Sequence, residues 1–146
     1  MGAWGYEPFE NDAAGDWLDP IENMLAKAIR SALETVKPSR HFDGYHEAVA
    51  AAALLAESSA LESRINLAYL AEKSGLFDLA IETVCEIEND AAYLAEWDKP
   101  NEARTALASL RRSLVGHRRE AERQAAAAAL RIRRVPVRKK KQATTA

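Results

Sequence analysis

Four residues between positions 41 and 47 carry side chains that commonly bind metal ions: His41, Asp43, His46 and Glu47. Three protein ligands suffice for a catalytic zinc ion, so this set could support a metal-dependent enzyme. The spacing is not that of the HExxH motif, and a separation of five residues places the two histidines on different faces of a helix. We therefore expect a polar linker with Asp43 near a helix start, and neither a metal ion nor another cofactor.

The one cysteine, Cys85, is the single candidate for a thiol nucleophile. A reactive thiolate needs an accessible and electropositive setting. Apolar neighbours in a helical run predict a half-buried position instead, and the nearby charges are negative, at Glu82, Glu86 and Glu88. No nucleophile-elbow, phosphate-binding or dinucleotide-binding motif is present. We expect no catalytic residue and no enzymatic activity.

Aromatic side chains are concentrated in the first nine residues, at Trp4, Tyr6 and Phe9. Rigid aromatic side chains dominate the energetics of many protein interfaces, so these three are the candidate interaction residues. The alternative is structural: Trp4 and Phe9 would cover one end of a helical core as part of an ordered arm, while Tyr6 stays exposed. We favour the structural alternative, and the sequence leaves both open.

Charge is distributed unevenly along the chain. Residues 1–110 hold 20 acids against 8 Lys/Arg, a net charge of -12, whereas residues 111–146 hold 2 acids against 12 Lys/Arg, a net charge of +10. The basic segment either folds back on the acidic body or binds an acidic partner. Binding to nucleic acid phosphates would depend on salt and not on base sequence. The candidate contacts are Arg111, Arg112, Arg118, Arg119, Arg123, Arg131, Arg133, Arg134, Arg138, Lys139, Lys140 and Lys141.

A membrane role is not expected. No stretch approaches eighteen uncharged apolar residues, the length at which a transmembrane helix becomes a candidate. The segment 121–130 favours a helix but offers almost nothing larger than alanine for a membrane surface. The N-terminus lacks the pattern of a secretory signal, and a single cysteine suits a reducing compartment. We therefore predict a cytoplasmic protein.

Apolar residues recur at helical spacings, and no two-residue β-period occurs, so the predicted class is all-α. Asp19-Pro20 should begin a new helix after a short first one, because Pro fits the first position of a helix. Ser58 or Ser59 should cap a third helix that ends before Gly75, which we expect in the left-handed conformation. The other predicted helices span residues 13–18, 21–36, 45–57, 76–87, 91–97 and 103–114. Asn89-Asp90 should either break the helix that precedes it or cap the short helix 91–97.

The composition changes at Gly116, beyond which large apolar side chains become rare. We predict a compact bundle of five or six short helices in residues 1–115, with an ordered N-terminal arm. Residues 116–146 would form a basic, Ala/Arg/Lys-rich extension that is partly disordered.

The opening of the chain resembles the N-terminal signature of a bacterial family, the domain of unknown function 4259. The residues that carry the resemblance are Gly2, Ala3, Trp4, Gly5, Phe9, Asn11, Asp12, Ala14, Asp16, Trp17 and Leu18. Two weaker similarities are the Ala-rich segment 47–58 and the C-terminal stretch up to residue 114, where the resemblance is expected to end. It implies a small, mostly helical domain and transfers no catalytic residue.

Three functions are compatible with these observations. We favour a non-enzymatic protein-binding module. An acidic helical body could neutralise a basic partner, as an immunity protein or antitoxin does, and this analogy rests on charge alone. The first alternative is a nucleic-acid-associated accessory protein that uses the basic segment. The second is a metal-dependent enzyme at His41 and His46.

Overall fold

The computed structural model describes residues 12–35 and 42–134, with the backbone alone for residues 42, 43 and 134. Within these ranges the chain is helical and has no strand, so the all-α prediction is confirmed. The predicted arm and the segment from residue 135 onward lie outside the described residues. The six described helices are α1 (Asp12–Glu34), α2 (Phe42–Glu57), α3 (Ala68–Ser74), α4 (Leu76–Glu88), α5 (Ala91–Ala95) and α6 (Pro100–Arg134).

The first helix is continuous, and the predicted restart at Asp19-Pro20 is wrong. Pro20 lies inside α1 and lacks the amide N–H that an interior residue donates. Half-buried Leu18 lies on the same helical face as Leu25 and buried Ile29, so packing of that face continues on both sides of the proline. Tertiary packing therefore outweighs the local signal.

The predicted helix from Ser58 or Ser59 is also wrong over its first half. Both serines are buried in an irregular loop, and the Ser58 carbonyl accepts a hydrogen bond from the Leu67 amide at 2.7 Å. Helix α3 begins only at Ala68, whose amide donates to Asn66 Oδ1 at 2.9 Å. Asn66 Nδ2 donates back to the Ala60 carbonyl at 3.1 Å, so Asn66 organises the loop and the helix start together.

Two turn predictions are confirmed. Gly75 separates α3 from α4 with φ of 72°, a conformation that costs glycine little because it has no Cβ. Asp90 starts α5, where its side chain accepts hydrogen bonds from the amides of Ala92 and Tyr93, each at 3.1 Å. A carboxylate at this position satisfies amides that the first turn leaves without helical partners.

The core lies between α1, α2, α4 and α6. The most extensive helix pairs are α4 with α6 and α1 with α2. The largest fully buried side chains include Leu33, Leu55, Phe77 and Leu114, one from each of these helices. Small residues on α2, among them fully buried Ala48 and Ala52, allow its neighbours to approach closely.

Helix α6 runs through Gly116 without a break. Its 35 residues extend over about 50 Å at the usual helical rise. Leu107, Leu114 and Ala121 are buried on one face at seven-residue intervals, so packing against the body continues beyond the composition change. The helix predicted for residues 121–130 is confirmed, and the division into domains at residue 115 stays a prediction.

The long-range contacts show which helix ends lie together. Glu22 Oε1 on α1 accepts from the Asn66 amide at 3.1 Å, and Arg30 donates to the Ser74 carbonyl at 2.7 Å, so α1 runs parallel to α3. Along α6, Arg111 contacts Glu88 and Arg118 contacts Asp78, after which residues 121–128 line a cleft with the start of α3. The first turns of α1 and the last turns of α6 therefore extend past the start of α3 at the same end of the molecule.

Candidate functional site

Several predicted site residues lie outside the described residues, and their predictions stay untested. They are Trp4, Tyr6, Phe9, His41, Arg138 and Lys139 to Lys141, together with the side chains of Asp43 and Arg134. Of the four candidate metal ligands, only the side chains of His46 and Glu47 are described. Among the described residues, no group of three His, Cys, Asp or Glu side chains could hold a metal ion.

His46 belongs to an aromatic cluster that also contains Tyr45, Tyr93 and Trp97. Its Nδ1 atom lies 3.3 Å from the Tyr93 hydroxyl oxygen, within hydrogen-bonding distance. The ring centroids of His46 and Trp97 are 5.8 Å apart with the rings near perpendicular, and those of Tyr45 and Tyr93 are 5.2 Å apart in a similar arrangement. Such edge-to-face contacts stabilise aromatic pairs beyond their burial. The cluster therefore anchors α5 to the start of α2.

A polar connection runs through the same cluster. The Tyr45 hydroxyl donates to Asp90 Oδ2 at 2.8 Å, while Asp90 Oδ1 caps α5. Burial raises the pKa of the Tyr93 phenol above its ordinary value, and a hydrogen bond with Trp97 opposes that shift. Which of the Tyr93 hydroxyl and His46 Nδ1 donates in their contact depends on the histidine tautomer. The sequence showed Asp90 as a cap but gave no sign of its contact with Tyr45, because 45 residues separate them.

Cys85 is exposed on α4, so the predicted half-buried position is wrong. Its side chain points away from buried Val84 and Ile87 into a shallow depression that also contains Glu82, Glu86 and Arg111. Asn89 Nδ2 lies 3.6 Å from the sulfur. The helical phase of Cys85 differs from that of its apolar neighbours by more than a quarter turn, which explains the error.

The arginines of the basic segment whose side chains are described fall into three groups: two pair with α4, Arg123 pairs with Glu120 on α6 itself, and the others are exposed without an ion pair. Arg111 Nε donates to Glu88 Oε2 at 2.8 Å and its Nη2 donates to the other carboxylate oxygen at 3.3 Å, while Arg118 Nη1 donates to Asp78 at 2.7 Å. Both arginines thus join α6 to α4. Arg112, Arg119, Arg131 and Arg133 are exposed and form no ion pair with another described residue.

The contact between Glu88 and Arg111 predicts a pH-dependent stability. The hydrogen bond from Arg111 lowers the pKa of Glu88 below its ordinary value of 4.5, so the pair stabilises the fold above that pH and loses its effect as pH falls through the lower folded value. Glu88→Gln should be less stable than the wild type at pH 7, and the difference should shrink as the pH falls from 7 through 4.5 and then through the lower folded pKa. Urea unfolding across this range measures it. A difference independent of pH would contradict the assignment.

Large apolar side chains are exposed at the end where α1 starts and α6 finishes. We call this surface the apolar end. It comprises Trp17 (63% exposed) on α1, Leu61 (75%) in the loop, Tyr69 (68%) on α3, and Leu130 (54%) and Ile132 (76%) on α6. Isolated exposed apolar residues are ordinary, whereas several at one end of a small chain indicate a contact surface. Trp97, by contrast, lies with the aromatic cluster at the other end.

A cleft of about 400 Å³ lies beside the apolar end, between the start of α3 and the last third of α6. Tyr69 and Asn66 form one wall, and Ala121, Ala125 and Ala128 form the other. The three alanines share one helical face with buried Leu114, and Ile132 continues that face one turn further. The packed face of α6 thus continues beyond the cleft to Ile132, which is largely exposed.

None of the described helices is long and apolar enough to cross a membrane. No curated protein and no solved structure matches the chain. A family model with the description Domain of unknown function (DUF4259) matches residues 2–132, which confirms the resemblance of the opening motif and extends it from residue 114 through most of α6. Because this match spans nearly the whole sequence, the chain belongs to the DUF4259 family.

Proposed function

We propose that this chain is a non-enzymatic protein-binding module and that the apolar end is its binding surface. Five of the eight large apolar side chains that are exposed among the described residues belong to segments that meet at one end, and this observation carries the proposal: Trp17, Leu61, Tyr69, Leu130 and Ile132. Aromatic and aliphatic side chains of this size supply most of the binding energy in protein interfaces. A partner that covers them would remove apolar surface from water, which favours association.

The continued face of α6 indicates what shape of partner would fit. Ala121, Ala125 and Ala128 leave a cleft with small side chains on one wall, and Tyr69 stands on the other. A helix can approach such a wall closely, and helical partners commonly lay an apolar face into a groove of this kind. The exposed Ile132 at the end of the face would be covered by the same partner.

The charge of α1 supports a more specific version of this proposal, in which the binding surface is acidic as well as apolar. The segment of α1 from Asp12 to Ala26 contains four acids and no Lys or Arg. An acidic surface next to an apolar one suits a partner with basic residues around an apolar patch. Immunity proteins and antitoxins act through such surfaces, and the analogy rests on charge and not on the family.

Association with nucleic acid is the weaker candidate. Arg111 and Arg118 are held by carboxylates of α4 and cannot contact phosphates without breaking those pairs. The described arginines that this function would use are those that remain exposed without an ion pair, Arg112, Arg119, Arg131 and Arg133. A metal-dependent activity would need His41, which lies outside the described residues.

Photo-crosslinking in cells tests the proposed surface. A photoreactive amino acid at Tyr69 or Leu130 should give discrete protein adducts. The same residue at Ala106, which is exposed on the first half of α6, should give none. Adducts from all three positions, or from none, would overturn the apolar end as the binding surface.

A further inference from the structure

We infer that the partner of the apolar end is a second copy of this chain, bound around a two-fold axis. The inference rests on the proposed function, because it names the occupant of that same surface. It is carried by the charges on the two helix ends that flank the exposed apolar side chains, one acidic and one basic.

The acidic edge is the first half of α1. Asp16 and Asp19 are exposed there, and neither forms an ion pair with another residue that the structure describes. Glu22 follows one turn later and binds the Asn66 amide. Since the first basic residue of α1 is Lys27, this end of the helix has a uniform negative charge.

The basic edge is the last two turns of α6. Arg131 and Arg133 are exposed beside Leu130 and Ile132, and no described carboxylate lies in ion-pair contact with either arginine. No acid follows Glu122 along the chain. Helices α1 and α6 also do not form an extensive interface with each other, so the two charged edges are not joined along their lengths within one molecule.

A two-fold axis converts this pair of edges into a self-complementary surface. In an isologous dimer the acidic edge of each copy contacts the basic edge of the other, so the same pairing is made twice. The charges surround apolar residues that become buried at the centre, which is the usual anatomy of an interface. A different partner would need a basic and an acidic edge at matching positions around its own apolar patch. A second copy of this chain has both edges at those positions.

The exposed area is compatible with a weak dimer. Five large apolar side chains, each with roughly 100 Å² exposed, would remove about 500 Å² per copy and about 1,000 Å² in total. This lies at the lower limit for a specific interface, so the dissociation constant should be in the micromolar range. The fraction of the chain that is dimeric should therefore rise with chain concentration.

Charge reversal tests the inference in the full-length chain. The wild type should change from monomer to dimer in sedimentation equilibrium between about 1 µM and about 1 mM. Asp16→Lys with Asp19→Lys should weaken self-association at least about tenfold, and so should Arg131→Glu with Arg133→Glu, because each variant places like charges at both contacts. An equimolar mixture of the two variants should associate again, since both contacts then pair opposite charges.

The control is Arg112→Glu with Arg119→Glu, which reverses two exposed α6 charges away from the apolar end and should leave the dimer intact. Circular dichroism checks that each variant is folded; for a variant that is not, the corresponding alanine substitutions replace the reversals. A wild type that is monomeric throughout, or a dimer that ignores the reversals, would overturn the inference. The photo-crosslinking experiment gives a further test. If Tyr69 and Leu130 form adducts with another protein and none at twice the mass of the chain, the dimer is overturned and the proposed function still stands.

Discussion

Replacing Phe77 by alanine should lower the free energy of unfolding by about 3–5 kcal/mol. Phe77 is 1% exposed on α4, the helix that packs against α1, α2 and α6 at once. Removal of its ring takes away buried apolar surface and leaves a cavity that the three surrounding helices cannot all close. Urea unfolding, monitored by circular dichroism, gives the free energy of unfolding of each variant from the midpoint and slope of the transition.

The matched control is Tyr69→Ala, which removes an aromatic side chain of similar size from an exposed position on the neighbouring helix α3. Its cost should stay below about 1 kcal/mol, because most of the ring already contacts water. If Phe77→Ala cost no more than Tyr69→Ala, α4 would not be the centre of the core. The pair also separates stability from binding, since Tyr69 belongs to the apolar end and Phe77 does not.

Local signals in the sequence predicted the features that depend on neighbouring residues. Gly75 and Asp90 act through backbone conformation and capping within a few residues, and both were predicted correctly. Pro20 and Ser58 carry equally clear local signals that fail. At Pro20 the helix face packs on both sides, and at Ser58 a loop closed by Asn66 replaces the expected helix start. Those outcomes depend on contacts that no local pattern contains.

The candidate site shows the same division. The uneven charge was visible in the sequence, and so was the alternative that the basic segment folds back on the body. Which arginines do so could not be predicted, because the answer depends on the helical phase of α6 relative to α4. Arg111 and Arg118, seven residues apart, face α4, whereas Arg112 and Arg119 lie one residue further along and face solvent.

Patterns in the sequence do not reveal the apolar end. Trp17 belongs to the opening motif, and Leu130 and Ile132 lie in a segment with few other large apolar side chains. Trp17 is more than 100 positions from Leu130 and Ile132 in the sequence, so only the course of α1 and α6 past α3 brings them to one end of the molecule. The periodicity of α6 does hold a usable signal, because Ile132 continues the face of Leu114 and Ala121.

Replacing Asp90 by alanine should cost about 1.5–3 kcal/mol of stability, the second largest effect we expect. The substitution removes the acceptor for the Ala92 and Tyr93 amides and, at the same time, the partner of the Tyr45 hydroxyl. Asp90→Asn keeps an oxygen for the amides and should cost less than half as much. Thermal or urea unfolding of both variants makes the comparison.

A double-mutant cycle with Tyr45→Phe separates the two roles of Asp90. If the carboxylate both caps α5 and binds the Tyr45 hydroxyl, the double variant should be more stable than the sum of the single effects predicts, by about 0.5–1.5 kcal/mol. Exact additivity would mean that the hydroxyl contact contributes nothing. Asp90 lies with the aromatic cluster, far from the apolar end, so these variants should unfold more easily and yet dimerise like the wild type wherever they remain folded. Dimerisation itself stabilises the folded state, so the variants must be compared at one chain concentration. If a second copy binds at the apolar end, the stability of the wild type and of each Asp90 and Tyr45 variant should rise equally with chain concentration.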